Sequence, residues 1–526
     1  MREWIVVLEK DIDYNTFWDE IENDSPDDGF IPSRRVDIAN ERPGMRRMCH
    51  YLLSDIEAEE LRNDNRVLSV ELPFEDDDND EVMVLGLEQD YDFDRSVISN
   101  NAQVSNWGLI RCNKLDKPES SAYSENYSYT LDGTGVDVVI IDTGIVADHP
   151  EWEDVDGNSR LQQIDWFAES GVSGTQHERH YEDTNGHGTH CAGIASGKTF
   201  GWAKNARIYA ISMGSAILNG GNPNGIQSIS QVFDVLLGWH NNKPIDPATG
   251  YKRPTIVNAS WNVVSFNDWD DARYITWRGN RIPYSDFSSA SDAWEKTGLR
   301  PNYSNGREGG TSSNYVNTSV EELIDAGIHI CNAAGNSFRT LNGPGDIDYS
   351  NVFEYYVPPA GQVISSSMQW RPGAPYVQDR MFLVGNIDNI LDVGTQKDRK
   401  NGSSNSGPAV NIFAPGTNIM SSYVSSGEYY ADANYNQAIL TGTSMAAPQV
   451  CGVGALVLQA NPWATPEQLI AHILGNGGKE KIKNPDHPFD SWTQVTADYT
   501  DNTTTLGANN VMLYNIFNNP IPTNIG

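Results

Sequence analysis

The sequence is short of positive charge, of cysteine and of long apolar runs, and each shortage removes a class of function. Lys and Arg total 36 against 71 Asp and Glu, a formal net charge of -35. Nucleic acids and anionic membrane surfaces draw their partners through cationic side chains, so neither is an expected partner. The five cysteines, Cys49, Cys112, Cys191, Cys331 and Cys451, are odd in number, widely spaced and flanked mostly by apolar or small residues. They read as buried reduced thiols, not as a disulfide or zinc framework. No run is long enough to span a bilayer, and the opening MREWIVVLEKDIDYNTFWDE has only a brief apolar patch before charge returns. The expectation is therefore a chain without a signal peptide, cytoplasmic or virion-associated, with no membrane insertion.

What is present is length and a set of small-residue, apolar segments. At 526 residues the chain exceeds what one hydrophobic core organises, so at least two folding units are expected. Residues Trp4 to Leu8 read as a buried strand, Tyr14 to Glu22 as a helix, Arg46 to Leu53 as a strand, Asp55 to Asn63 as a helix and Arg66 to Leu72 as an alternating strand. Together they form a small α+β unit over residues 1–74. The run EDDDNDE, Glu75 to Glu81, reads as a solvated linker opening a region over residues 75–105.

From Gly133 the pattern becomes strand, turn and helix in repetition. Strands are expected at Val136 to Ile141, Ala206 to Ser212, Thr255 to Ser260, Gly327 to Asn332 and Met381 to Gly385, with helices at Ser228 to Asn241 and Glu467 to Leu474. Continuous β-branched runs such as VDVVII belong to parallel strands covered on both faces. A tail at 498–526 is rich in Asn and Thr.

The stretch around which the rest is arranged is LTGTSMAAPQVCGVGALVLQ, Leu440 to Gln459, which carries no charge. It reads as a buried helix whose mouth holds Ser444, with Pro448 tolerated if it falls in the first turn. A serine there is an ordinary helix cap in many proteins. It is also a nucleophile if a base removes its proton and a third group orients that base. Asp142 closes the run VDVVIID, at the carboxyl end of a strand where functional groups of α/β sheets collect. His187 stands between two glycines in DTNGHGTHCAGIASG, at the start of a small-residue helix. The pair His187 and His190 lacks a nearby Glu in helical register and so does not match a zinc-protease pattern. Asn336, in AAGN after a buried strand, caps a turn or donates its amide to an oxyanion.

The stretches IIDTGIVADHPEW, TNGHGTHCAGIASG, AAGN and GTSMAAPQVCGVGALV, supported by SNSGPAVNIFAPG, resemble the signature set of the subtilisin-like serine proteases, the subtilase or peptidase S8 family. The similarity runs from Asn106 to about Pro466, and by it the main unit is placed at residues 106–497 with insertions near 262–313 and 344–380. It implies an α/β fold, a parallel sheet flanked by helices, preceded by a small α+β domain like the family's inhibitory propeptides. It implies Ser444 as nucleophile, His187 as general base and then acid, Asp142 as the carboxylate fixing the imidazole, and Asn336 with the Ser444 N–H as oxyanion donors. His190 is assigned a structural role.

By the same resemblance a protein or peptide substrate pairs as an extended strand beside Asn258, Ala259, Ser260, Trp261 and Asn262. Trp261-Asn262-Val263 stands where the family usually has a small apolar residue and glycines, so a changed or occluded pocket is expected. The N-terminal unit would assist folding, block the cleft and be removed autocatalytically. Structural calcium is also implied, with Asp148, Asp154 and Asp156 as candidate ligands, although DVDGN lacks the full EF-hand spacing and its closing Glu and reads first as a solvated acidic loop. No cofactor is needed for the chemistry. A second reading keeps the fold but makes the chain a structural or attachment component of a virion or surface assembly, capable of self-assembly or particle attachment.

Overall fold

The computed structural model describes residues 1–22, 34–42, 44–73, 80–84, 106–115, 129–266, 272–299, 307–310, 313–357, 362–366, 369–392, 397–429, 431–483 and 510–516. The N-terminal unit consists of β1 (Arg2–Leu8), α1 (Tyr14–Glu22), β2 (Asp37–Asn40), β3 (Met48–Leu53), α2 (Asp55–Arg62) and β4 (Val67–Glu71), with its strands antiparallel in the order β2-β3-β1-β4. Alternation along β1 decides its two faces. Trp4, Val6 and Leu8 pack with Phe17, Ile21 and Leu61 into the unit's own core, whereas Ile5 and Val7 join a core of the main unit. Ser54 caps α2 in a reciprocal box with Glu57. Strand β5 (Asp80–Val84) follows. The acidic run therefore does not end in a linker: its last two residues, Asp80 and Glu81, begin a strand.

The main unit opens with α3 (Trp107–Arg111), β6 (Asp137–Asp142), α4 (Trp166–Ser170), α5 (His187–Ser196), β7 (Arg207–Ser212), β8 (Leu218–Asn219), α6 (Ile229–Asn242), β9 (Thr255–Ala259) and β10 (Trp261–Phe266). It continues through β11 (Ala272–Trp277), β12 (Asn280–Pro283), α7 (Ala290–Thr297), β13 (Arg307–Gly310), α8 (Asn314–Asp325), β14 (His329–Ala333), β15 (Val352–Val357), β16 (Gln362–Ser366), β17 (Phe382–Asp392), β18 (Lys397–Lys400) and β19 (Ile412–Pro415). It closes with β20 (Ile419–Tyr429), β21 (Asp432–Leu440), α9 (Thr443–Ala460), α10 (Pro466–Asn476), β22 (Gly478–Lys479), β23 (Ile482–Lys483) and β24 (Val511–Met512). The Asn- and Thr-rich tail supplies β24, which pairs with β19 and β22.

The central sheet runs β19-β17-β14-β9-β6-β7, every neighbour parallel. Strand β6 is buried along its whole length, as a parallel strand sandwiched between helices must be. Val138 and Ile140 face a layer containing α5 and α9, while Val139 and Ile141 face one containing α6 and α8. The two long insertions meet in one antiparallel sheet, ordered β12-β11-β15-β16.

The N-terminal unit seats on the α6 and α8 side. Arg42 Nη2 meets Asp234 Oδ1 at 2.9 Å with both side chains buried. Glu322 on α8 accepts from the N–H groups of Arg46 and Arg47, both at 2.9 Å. Glu71 at the end of β4 accepts from the Ser313 hydroxyl and the Asn314 N–H at the N-terminus of α8, at 3.1 and 3.2 Å, where orphan N–H groups and the helix dipole favour a carboxylate.

Candidate active site

Asp142 closes β6, and its Oδ1 lies 2.8 Å from His187 Nδ1 on the first residue of α5. The same oxygen accepts from the Thr143 N–H at 2.7 Å. A second carboxylate, Asp183, holds the loop before α5. It accepts from the N–H groups of Asn185, Gly186 and Thr189 at 3.0, 2.8 and 3.0 Å, and from the Thr143 hydroxyl at 3.0 Å. Gly186 enters the helix at a φ of +99°, a left-handed conformation that a side chain resists. A Cβ on Gly188 would fall on the Gly144 carbonyl, so the helix approaches β6 closely enough for the ring to reach the carboxylate only because no side chain intervenes.

Burial alone lowers the basicity of His187, but the Asp142 carboxylate beside it outweighs that, and its pKa lies well above the ordinary histidine value. His190 behaves oppositely. It is buried without a carboxylate partner, its pKa falls to about 3, and its Nε2 lies 3.1 Å from the Ala438 carbonyl. Its place is structural.

Ser444 is the second residue of α9. Pro448 lies beyond the first turn, contrary to the placement that would have made it harmless, and its missing N–H leaves the carbonyl of Ser444, four residues earlier, without its helical donor. That carbonyl is taken up by Ser260 Oγ at 3.0 Å and by Cys191 Sγ at 3.4 Å. The same sulfur lies 3.9 Å from His187 Nδ1, so a single atom touches both the imidazole and the backbone of Ser444. Residue order alone assigns neither the thiol nor Ser260 this task. The signal for it is the proline four residues after the serine.

The Ser444 hydroxyl donates to the Ser260 carbonyl at 3.2 Å, and His187 Nε2 is buried with no hydrogen-bond partner. One link of the expected Ser-His-Asp line is thus made and the other is open. Asp142, His187 and Ser444 are all fully buried. Asn336 lies beside them: its Oδ1 accepts from the N–H and hydroxyl of Thr443, at 2.9 and 3.0 Å.

The residues expected to hold substrate divide. Asn258 and Ala259 lie inside β9, and Asn258 Nδ2 donates to Ser260 Oγ at 2.9 Å. The Trp261 side chain turns into the core, its indole N–H donating to the Ile141 carbonyl at 3.0 Å. What β10 offers an extended chain is its backbone edge, and β5 is paired to it: Trp261 opposite Val84, Asn262 opposite Met83, antiparallel. On its other side β5 runs parallel to β8.

Asp148, Asp154 and Asp156 do not converge as metal ligands. Asp154 Oδ1 accepts from the N–H groups of Asp156 and Asn158, at 2.9 and 2.8 Å, and so closes its own loop. Among the described residues the group with metal-binding spacing is Asp142, His187 and Cys191, with donor atoms within 4.8 Å of one another. That group is the Asp-His pair with its neighbouring thiol.

A subtilase family model matches residues 133–493. The chain belongs to the subtilase family. It is 26% identical over 404 residues to a cuticle-degrading serine protease of Orbilia oligospora, covering 76% of this chain and 68% of that one. It is 28% identical over 385 residues to the subtilisin-like serine protease Cla h 9.0101 of Davidiella tassiana, covering 73% and 52%. The matches to these relatives span from about half to about two thirds of their own length. The crystal structure of fervidolysin from Fervidobacterium pennivorans, a keratinolytic enzyme related to subtilisin, aligns with a TM-score of 0.51 at 16% identity, covering 99% of this chain and 61% of that one, and has the same fold.

These relatives correct the expected location. A protease named for degrading cuticle works outside the cell, which points away from a cytoplasmic or virion-associated subtilase. The relatives named here are proteases and lend no support to a virion or assembly component. Among the described residues no helix is long and apolar enough to cross a membrane.

Proposed function

We propose that the serine endopeptidase activity of this subtilase is carried by Ser444, His187 and Asp142, with Asn336 and the Ser444 N–H receiving the oxyanion. The observation that carries the assignment is the buried 2.8 Å contact between Asp142 and His187, whose free Nε2 is a base without a proton to take until Ser444 supplies one. The reading requires the Ser444 hydroxyl to leave the Ser260 carbonyl and turn to that nitrogen. Catalytic hydrogen bonds are commonly left open until substrate is bound.

Attack of Oγ on the peptide carbonyl passes the hydroxyl proton to Nε2, and the imidazolium is stabilised by Asp142. The oxygen that becomes negative meets the Ser444 N–H in the first turn of α9, where acceptors are lacking, and the Asn336 amide. Collapse breaks the C–N bond as Nε2 protonates the leaving amine. Water then enters by the same route in reverse and hydrolyses the acyl-enzyme.

The pairing of β5 with β10 and β8 supports a second part of the reading: the N-terminal unit folds on the main unit and the strand that follows it fills the cleft, both awaiting removal. The substrate class is protein presented as an extended chain, and the cuticle-degrading relatives favour a structural protein. Calcium at Asp148, Asp154 and Asp156 forms no part of the reading.

The test is to purify wild type and Ser444→Ala side by side, follow intact mass and assay digestion of denatured casein. Wild type should lose its N-terminal unit and digest casein, while Ser444→Ala should stay at 58.2 kDa and be inert. Equal processing and digestion by both would overturn the assignment.

A further inference from the structure

Strand β5 shows how an extended chain lies on β10, with Met83 opposite Asn262 and Val84 opposite Trp261. Carried one step further, that register sets the next residue of any such occupant opposite Ser260, whose carbonyl accepts the Ser444 hydroxyl. A chain held in this register would set the residue opposite Ser260 beside the nucleophile, on the N-terminal side of the bond to be cut. Directly opposed residues of an antiparallel pair project to the same face, and residues two apart share it. Its side chain must accordingly enter the protein on the face of β10 that carries Asn262.

That face is bridged. Asn262 is 5% exposed, and its Nδ2 donates to the carbonyl of Ala333 at the end of β14, at 3.1 Å. Its Oδ1 accepts from Asn332 Nδ2 at 3.1 Å, and the same Asn332 amide donates to the Pro375 carbonyl at 2.9 Å. The amide of Asn262 thus spans from β10 to the strand that leads into Asn336, on the face that the substrate side chain would have to enter. Pushing it aside would leave the Ala333 carbonyl and the Asn332 amide short of a partner in a buried place, which is costly.

We infer that Asn262 is a specificity-determining residue that admits only glycine, alanine or serine immediately before the scissile bond. The inference rests on Ser444 as nucleophile and deepens that reading by naming the substrate: protein segments rich in small residues. Asn262 touches the substrate side chain and takes no part in proton transfer.

The test uses the purified full-length chain, in whatever processed form it adopts, and a series of peptide anilides differing only in the residue before the anilide: Gly, Ala, Leu or Phe. Wild type should favour Ala over Phe in kcat/KM by about 100-fold or more. Asn262→Gly should raise the ratio of Phe to Ala in kcat/KM by about tenfold or more, and Asn262→Ala should fall between. Fluorophosphonate labelling of Ser444 in each variant reports that it is folded. A change in that ratio is not something general damage to the fold would produce. Wild type cleaving Phe as readily as Ala, or a labelled Asn262→Gly keeping the wild-type ratio, would overturn the inference. No turnover of any anilide together with no labelling of wild type would overturn the catalytic reading beneath it.

Discussion

The backbone N–H of Thr443 donates to Oδ1 of Asn336 at 2.9 Å, and the Thr443 hydroxyl binds the same oxygen at 3.0 Å. An N–H group only donates, so the carbonyl end of the Asn336 amide is bound to face Thr443 and its NH₂ end faces away. Replacing Asn336 by Ala should lower kcat by about 100- to 1,000-fold, a magnitude known from this family, with little effect on KM. Steady-state kinetics on one peptide substrate checks it. Equal changes in kcat and KM would mean that the amide binds the ground state too.

The raised pKa of His187 predicts a pH profile displaced to the alkaline side. The base must be neutral, so kcat/KM should rise along a single-proton limb whose midpoint lies above the ordinary value of about 6.5. Asp142→Asn should move the midpoint down and reduce kcat by about 10⁴-fold.

Stability should respond to the same pair in the opposite sense. Because folding raises the pKa of His187, the pair's contribution is fully present below about 6.5 and is lost as pH rises through the folded value. Comparing the pH dependence of Tm for wild type and His187→Ala checks this: the wild-type advantage should shrink on the alkaline side.

Arg42 and Asp234 join the N-terminal unit to α6, and both side chains are withdrawn from solvent. Arg42→Ala leaves the Asp234 carboxylate buried without its ion-pair partner, at a cost of about 3–5 kcal/mol. The unit should then release sooner, seen as faster labelling of Ser444 by an active-site probe than in wild type.

Arg111 and Asp398 form a second buried pair, with Arg111 Nε donating to Asp398 Oδ1 at 3.0 Å. It ties α3, at the start of the main unit, to β18. Arg111→Ala should lower stability by about 3–5 kcal/mol, whereas the double change Arg111→Met with Asp398→Leu should recover most of it. Thermal unfolding of the three proteins decides.

Much of the architecture could be read from residue order alone, because parallel strands buried on both faces must be apolar along their length. The run before Asp142 follows from that rule, and the helices after His187 and Ser444 from their runs of small and apolar residues. Strand β5 could not be read this way: Asp80 and Glu81 look like part of a solvated acidic run, and their strand arises from the backbone edges of β8 and β10 far along the chain. Asp183 escaped for a related reason, since a carboxylate that gathers loop N–H groups is defined by where the loop closes. Residue order leaves open whether Pro448 falls in the first turn; the helix begins at Thr443, so it lies beyond that turn, and the Ser444 carbonyl is directed to Ser260 and Cys191.

The central claim is tested most directly by treating the purified chain with a serine-directed fluorophosphonate and mapping the adduct by peptide mass spectrometry. A single adduct on Ser444, absent from His187→Ala, is the expected result. An adduct on a different serine, or none at any pH once the N-terminal unit has been removed, would contradict it.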